Sequence, residues 1–132
     1  MRRVNLVKVY AIVEDEADIR NLIRLIFRAE PNFEMVGEAE SAEEALVALR
    51  SNLDIGLIVL DHGLTGELTG LEAAPLFKEI VPLAKIILFT ADPGLRVRAA
   101  REPAIDAFLV KTEVALLLST ARRLCGIGSP PG

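Results

Sequence analysis

Five short runs dominated by Val, Ile and Leu punctuate this chain, at Lys8 to Val13, Glu34 to Gly37, Ile55 to Leu60, Lys85 to Phe89 and Ala107 to Val110. Each is too short for a helix, each is bounded by polar or turn residues, and stretches of helical period separate them. Parallel strands need a crossover long enough to hold a helix, so this alternation predicts βα units around a mostly parallel sheet. The expected fold class is α/β, doubly wound, with helices on both faces.

The helical stretches carry their own punctuation. Ile19, Leu22, Ile23, Ile26 and Phe27 recur at i, i+3, i+4 spacing, with Arg20, Arg24 and Arg28 on other faces. Ser41-Ala42-Glu43-Glu44 reads as a capping box in which Ser41 and Glu44 each satisfy a first-turn amide, with Ala42, Ala45, Leu46 and Leu49 facing inward. Pro75 interrupts the apolar stretch Leu71 to Val81 and predicts a late start or a kink. Asp92-Pro93 predicts an N-cap with proline at the first helical position, opening a short Arg-rich helix that Pro103 ends. Val114, Leu117, Leu118, Ala121 and Leu124 form the last stripe, closed by Gly126 as a left-handed C-cap. The domain is expected over residues 1–126, with 127–132 a flexible tail or linker stump.

Composition narrows the classes. At 132 residues, 52% apolar and 26% charged, the chain has the balance of one folded domain, not of a disordered segment. A net charge of -4 with dispersed arginines leaves no basic footprint, so direct nucleic-acid binding is not expected. No apolar run reaches the roughly 20 residues that span a bilayer, and the first residues lack a signal peptide's apolar segment, so no membrane partner and a cytoplasmic location are expected. The single cysteine, Cys125, has no internal disulfide partner.

Four of the apolar runs lead straight into reactive residues: Val13 into Glu14-Asp15, Leu60 into Asp61, Phe89 into Thr90, and Val110 into Lys111. Parallel strands gather their carboxyl ends on one edge of the sheet, where open α/β folds bind ligands. Three clustered carboxylates need a counter-charge, and a hard divalent cation such as Mg2+ supplies one, with Lys111 adding a point charge. His62 adjoins Asp61, but strand neighbours point to opposite faces, which assigns it to the rim without a chemical role.

These residues resemble the bacterial two-component response-regulator receivers, over essentially the whole chain apart from its termini. Val13-Glu14-Asp15-Glu16 is similar to the family's acidic pair, Leu60-Asp61 to its phosphoacceptor, Phe89-Thr90-Ala91 to its hydroxyl-plus-small motif, and Phe108-Leu109-Val110-Lys111 to its aromatic-x-x-Lys ending. The resemblance implies a flavodoxin-like (βα)5 domain with five parallel strands in the order 2-1-3-4-5. It implies Asp61 as phosphoacceptor, assisted by Thr90, Lys111 and the backbone amide of Ala91. Mg2+ would be held by Asp15, Glu14 (mainly through water), Asp61 and the Gly63 carbonyl. Thr90 and Phe108 would form the switch, reshaping the face of the fourth helix, fifth strand and fifth helix, beside Arg96, Arg98 and Arg101. The implied partners are a sensor histidine kinase or histidine phosphotransfer protein, and a homodimer through that same face.

The chain departs from the family pattern in places. Thr65 stands where the family usually has proline, and the matching glycine, Gly70, comes one position late, so the loop after Asp61 carries one extra residue. Lys111 precedes Thr112 instead of proline, and since a cis bond there would cost about 2.5–4 kcal/mol, trans is expected. Ala104-Ile105 replaces a common Gly-Ala before the fifth strand. Two other readings compete: a docking receiver that is never phosphorylated, and an aspartyl-phosphate phosphohydrolase. The second needs a general acid two positions after its nucleophile, where this chain has Gly63.

Overall fold

The computed structural model describes residues 6–13 and 17–128. Strands β1 (Val7–Ile12), β2 (Phe33–Ala39), β3 (Ile55–Leu60), β4 (Lys85–Thr90) and β5 (Ala107–Val110) alternate with helices α1 (Ala17–Arg28), α2 (Ala42–Leu49), α3 (Gly70–Ile80), α4 (Arg96–Ala100) and α5 (Leu117–Leu124). All pairings are parallel and the order is β2-β1-β3-β4-β5, the doubly wound arrangement expected. β2 runs past its expected bounds at both ends, because Phe33 and Ala39 are buried there although acidic residues interrupt the run between them.

Side-chain alternation divides the strands between two cores. Tyr10, Ile12, Ile58, Leu60, Ile86 and Leu88 pack against α2, α3 and α4. Val9, Ala11, Leu57, Val59, Ile87 and Phe89 pack against α1 and α5. On α1, Ile23 and Phe27 are buried, and Phe27 meets Phe33 edge-on with ring centroids 5.1 Å apart. Leu22, grouped with that stripe from its spacing, lies at the stripe's margin and is exposed. Buried alanines 42, 45, 73 and 74 let α2 and α3 sit close together over the sheet.

Helix ends follow local chemistry. The Ser41 side chain accepts the Glu44 amide, while the Glu44 carboxylate reaches back to the amide of Glu40. α3 does not start late. It begins at Gly70 under a full capping box from Thr69 and Glu72, and Pro75 sits in its interior, where its missing N–H leaves the Leu71 carbonyl without a helical donor. Asp92 caps the 3-10 turn Pro93–Leu95 that leads into α4. Gly126 adopts φ +69°. Beyond it Ile127 packs on the core and Arg122, ion-paired with Glu30, donates to the Gly128 carbonyl, while residues 129–132 lie outside the described residues.

Strand order reverses between β1 and β3, so the chain leaves these neighbours toward opposite faces of the sheet. Such divergence opens a crevice at their carboxyl ends.

Candidate functional site

Asp61 is the first residue past β3, and its amide still donates to the Ile12 carbonyl at 2.9 Å, so its backbone is held by β1. Alternation puts its side chain on the face of Leu57 and Val59, where it is only 4% exposed. A carboxylate so buried is costly without partners. Two are present: Lys111 Nζ donates to Oδ2 at 2.8 Å and the His62 amide donates to Oδ1 at 2.7 Å. Lys111 itself follows β5 as the first residue of the 3-10 turn Lys111–Leu116, and its side chain reaches past β4 to the centre of the sheet.

Thr90 ends β4 opposite Val110 and is buried on the other sheet face, with Ile86 and Leu88. Ala91 follows it at the surface, and Ala91, Pro93, Val110, Lys111 and Thr112 line a cavity of about 230 Å3 at this end of the sheet. Phe108 pairs with Leu88 and is partly buried on Thr90's side of the sheet. The Arg96 guanidinium lies 4.8 Å from its ring centroid, a cation–π arrangement, and also pairs with Glu113 at 3.3 Å. Glu113 in turn accepts the Val110 amide at 3.0 Å. Nothing in sequence spacing announced that chain of contacts, since its members stand on α4, β5 and the turn before α5.

Of the other expected site residues, Gly63 is exposed on the loop after Asp61, and a Cβ there would meet nothing within 4 Å. Glu14 and Asp15 lie outside the described residues. His62 is half-buried, and its Nδ1 is sealed from solvent without a hydrogen-bond partner among the described residues. Burial first, and the Arg98 charge second, hold its pKa below the ordinary 6.5. The described residues contain no cis peptide bond, so Lys111–Thr112 is trans as expected.

The late glycine has a physical reason. A Cβ on Gly70 would fall 2.1 Å from the Asp61 carbonyl oxygen, so α3 begins against the backbone of the buried acid and only glycine fits there. The extra residue is accommodated in the loop before that contact.

A doubly wound domain that seats a buried Asp–Lys pair beside a threonine at adjoining strand ends has the form of a phosphoryl-accepting signalling domain. The chain belongs to the response regulator receiver domain family, whose model matches residues 10–121. It is 30% identical over 119 residues to the nitrate/nitrite response regulator protein NarP of Escherichia coli, a match covering 89% of this chain and 54% of NarP. This chain thus spans about half the length of that relative. Among solved structures it is similar to the response regulator TrrA of Thermotoga maritima in complex with Mg2+-BeF, at 31% identity, TM-score 0.77, 90% of this chain and 99% of that one. The response regulator domain of T. maritima CheB has the same fold, with TM-score 0.78 at 21% identity, covering 95% of this chain and all of that one.

Membership makes this a receiver domain of two-component phosphorelay signalling, a phosphoacceptor class. No helix among the described residues is long and apolar enough to cross a membrane.

Proposed function

We propose that Asp61 accepts a phosphoryl group from the phosphohistidine of a sensor kinase or histidine phosphotransfer protein. The observation that carries this reading is the contact between Asp61 and Lys111, 2.8 Å long and almost wholly shielded from solvent, formed by residues fifty positions apart. A buried ion pair is weak evidence for stability as such, since apolar replacements often serve as well. Its position at the carboxyl edge of the sheet, beside the strand-order reversal, argues for chemistry instead.

The donor set suits Mg2+. The described part of the site offers hard oxygen ligands, the Asp61 carboxylate and the carbonyl of the open Gly63, while the one thiol, Cys125, lies at the opposite edge near Val7 and Gly56. By the resemblance of Val13-Glu14-Asp15-Glu16 to the family's acidic pair, Asp15 and Glu14 would complete the set. When bound, Mg2+ would neutralise charge on the transferred group. Phosphoryl transfer asks the protein mainly for alignment and charge stabilisation. Lys111 holds Oδ2 and the His62 amide holds Oδ1, which orients Asp61 as the nucleophile that attacks phosphorus as the P–N bond of the phosphohistidine breaks, while the Thr90 hydroxyl and Ala91 amide serve the incoming equatorial oxygens.

Phosphorylation adds charge and acceptor oxygens at Asp61, which draws Thr90 toward them and frees room for Phe108 on the same sheet face. Phe108 would leave the Arg96 guanidinium as it turns inward, changing the surface of α4, β5 and α5 where a homodimer forms. Phosphatase chemistry finds no general acid at Gly63.

Incubating the full chain with acetyl phosphate and Mg2+ tests the reading. Intact mass should show one added phosphoryl group that Asp61→Ala abolishes, and uptake that survives the substitution would reject Asp61 as acceptor.

A further inference from the structure

The loop between β3 and α3 is tied down at a place remote from the reacting groups. Glu43, in the first turn of α2, aims its carboxylate at the loop's apex, where Oε2 accepts the amides of Glu67 at 3.1 Å and Leu68 at 3.3 Å. Gly66 has φ +91°, and a Cβ there would fall 2.6 Å from Glu43 Oε1, so glycine both adopts the backbone and leaves room for the carboxylate. Thr65 adds two further ties: its hydroxyl donates to the Glu40 carbonyl at 3.0 Å, and its backbone forms a parallel bridge with Ser41. At the loop's base, the amides of Leu64 and Gly70 both donate to the His62 carbonyl, at 3.1 and 2.9 Å.

Gly63 lies within that closed base, and the pinned apex follows it. Apart from its chain neighbours no atom lies within 4 Å of where a Gly63 Cβ would stand, so its orientation follows from the turn that the Leu64 amide closes over it and from the ties that fix the rest of the loop. The Glu43 carboxylate at the apex is held below its ordinary pKa first by its own amide and then by those of Glu67 and Leu68.

We infer that Glu43 is a positioning residue for the phosphorylation site: by clamping the loop's apex it fixes how the Gly63 carbonyl is presented as a Mg2+ ligand. This rests on the reading of Gly63 given above. Groups that orient a metal's ligands from behind typically change metal affinity by 10- to 100-fold when removed.

The test compares the wild-type chain with Glu43→Ala, Glu43→Gln and Glu44→Ala, using Mg2+ titration followed at the Gly63 amide by NMR and hydrogen exchange at Glu67 and Leu68. Glu44 is the control, since it also sits in the first turn of α2 but bonds the Glu40 amide and not the loop. Expected for Glu43→Ala is a loss of about tenfold in Mg2+ affinity with faster exchange at both amides, and for Glu44→Ala an affinity within about twofold of wild type. Glu43→Gln keeps an acceptor oxygen and should fall between them. The inference is overturned if Glu43→Ala keeps wild-type affinity, leaves the two amides protected, or loses no more than Glu44→Ala. Failure of the phosphoacceptor reading looks different: a wild type that binds Mg2+ but takes nothing from acetyl phosphate, with the titration and exchange still deciding the clamp.

Discussion

Asp61 and Lys111 show how burial and charge combine at a single position. Replacing Lys111 with methionine keeps an apolar stem but removes the point charge that meets Oδ2. If Lys111 stabilises the transferred group, Lys111→Met should slow acetyl phosphate uptake by about 100-fold or more, the usual cost of losing one charge-stabilising donor, with far-ultraviolet circular dichroism unchanged. Gly70→Ala is the structural counterpart. Its methyl would collide with the Asp61 carbonyl, a backbone atom that cannot turn aside, so a destabilisation of about 2–3 kcal/mol is expected as a lower urea midpoint at unchanged slope. Asp61, Thr90 and Lys111 were legible in the sequence because each directly follows or ends a strand, and parallel pairing brings strand ends together. The need for glycine at position 70 was visible only as an offset, since which backbone it touches depends on the path of the loop.

Among the elements, the β3–α3 loop departs furthest from sequence expectation. Pro75 points to a late helix start, but the capping box of Thr69 and Glu72, six residues before it, sets where α3 begins. Glu72 is held below its ordinary pKa of 4.5, first by the Thr69 amide and then by its hydroxyl, and Glu43 is likewise lowered. A carboxyl whose folded pKa is depressed contributes stability that is complete above the unfolded value and is lost as pH falls through the folded one. The loop should therefore loosen below about pH 4.5. Amide NMR of Glu67, Leu68 and Thr69 from neutral pH into acid should show a shared transition there, and invariant shifts would contradict the hydrogen-bond assignment. Helical period places Leu22 on the inward stripe of α1, yet it is exposed beside buried Ile23: two adjacent positions on a stripe can fall either side of the solvent boundary.

At the scale of the whole molecule, fold class was legible because β-branched runs, helical periods and connection lengths all pointed to a parallel α/β sheet, while the strand order followed from the family resemblance. What could not be read was side-chain traffic between elements distant in sequence, such as Arg96 on α4 stacked on Phe108 of β5 and paired with Glu113 beyond it. That cluster sits on the face proposed to pair on activation. Beryllofluoride with Mg2+ should accordingly shift the chain to earlier elution in size exclusion, and Arg96→Ala should alter that shift; identical elution with and without the mimic would rule out activation-driven pairing.

The hydrogen bond from the Gly70 amide to the His62 carbonyl carries a consequence for how such a domain diversifies. It staples the entry and exit of the intervening segment to each other, so extra residues bulge outward as a blister while nucleophile and helix stay put. Lengthening a surface segment is entropically mild, about 0.6 kcal/mol per doubling. Descendants of this chain can lengthen that segment while Asp61 and the start of α3 keep their places, and only the Gly63 carbonyl, enclosed in the segment, is retuned with it.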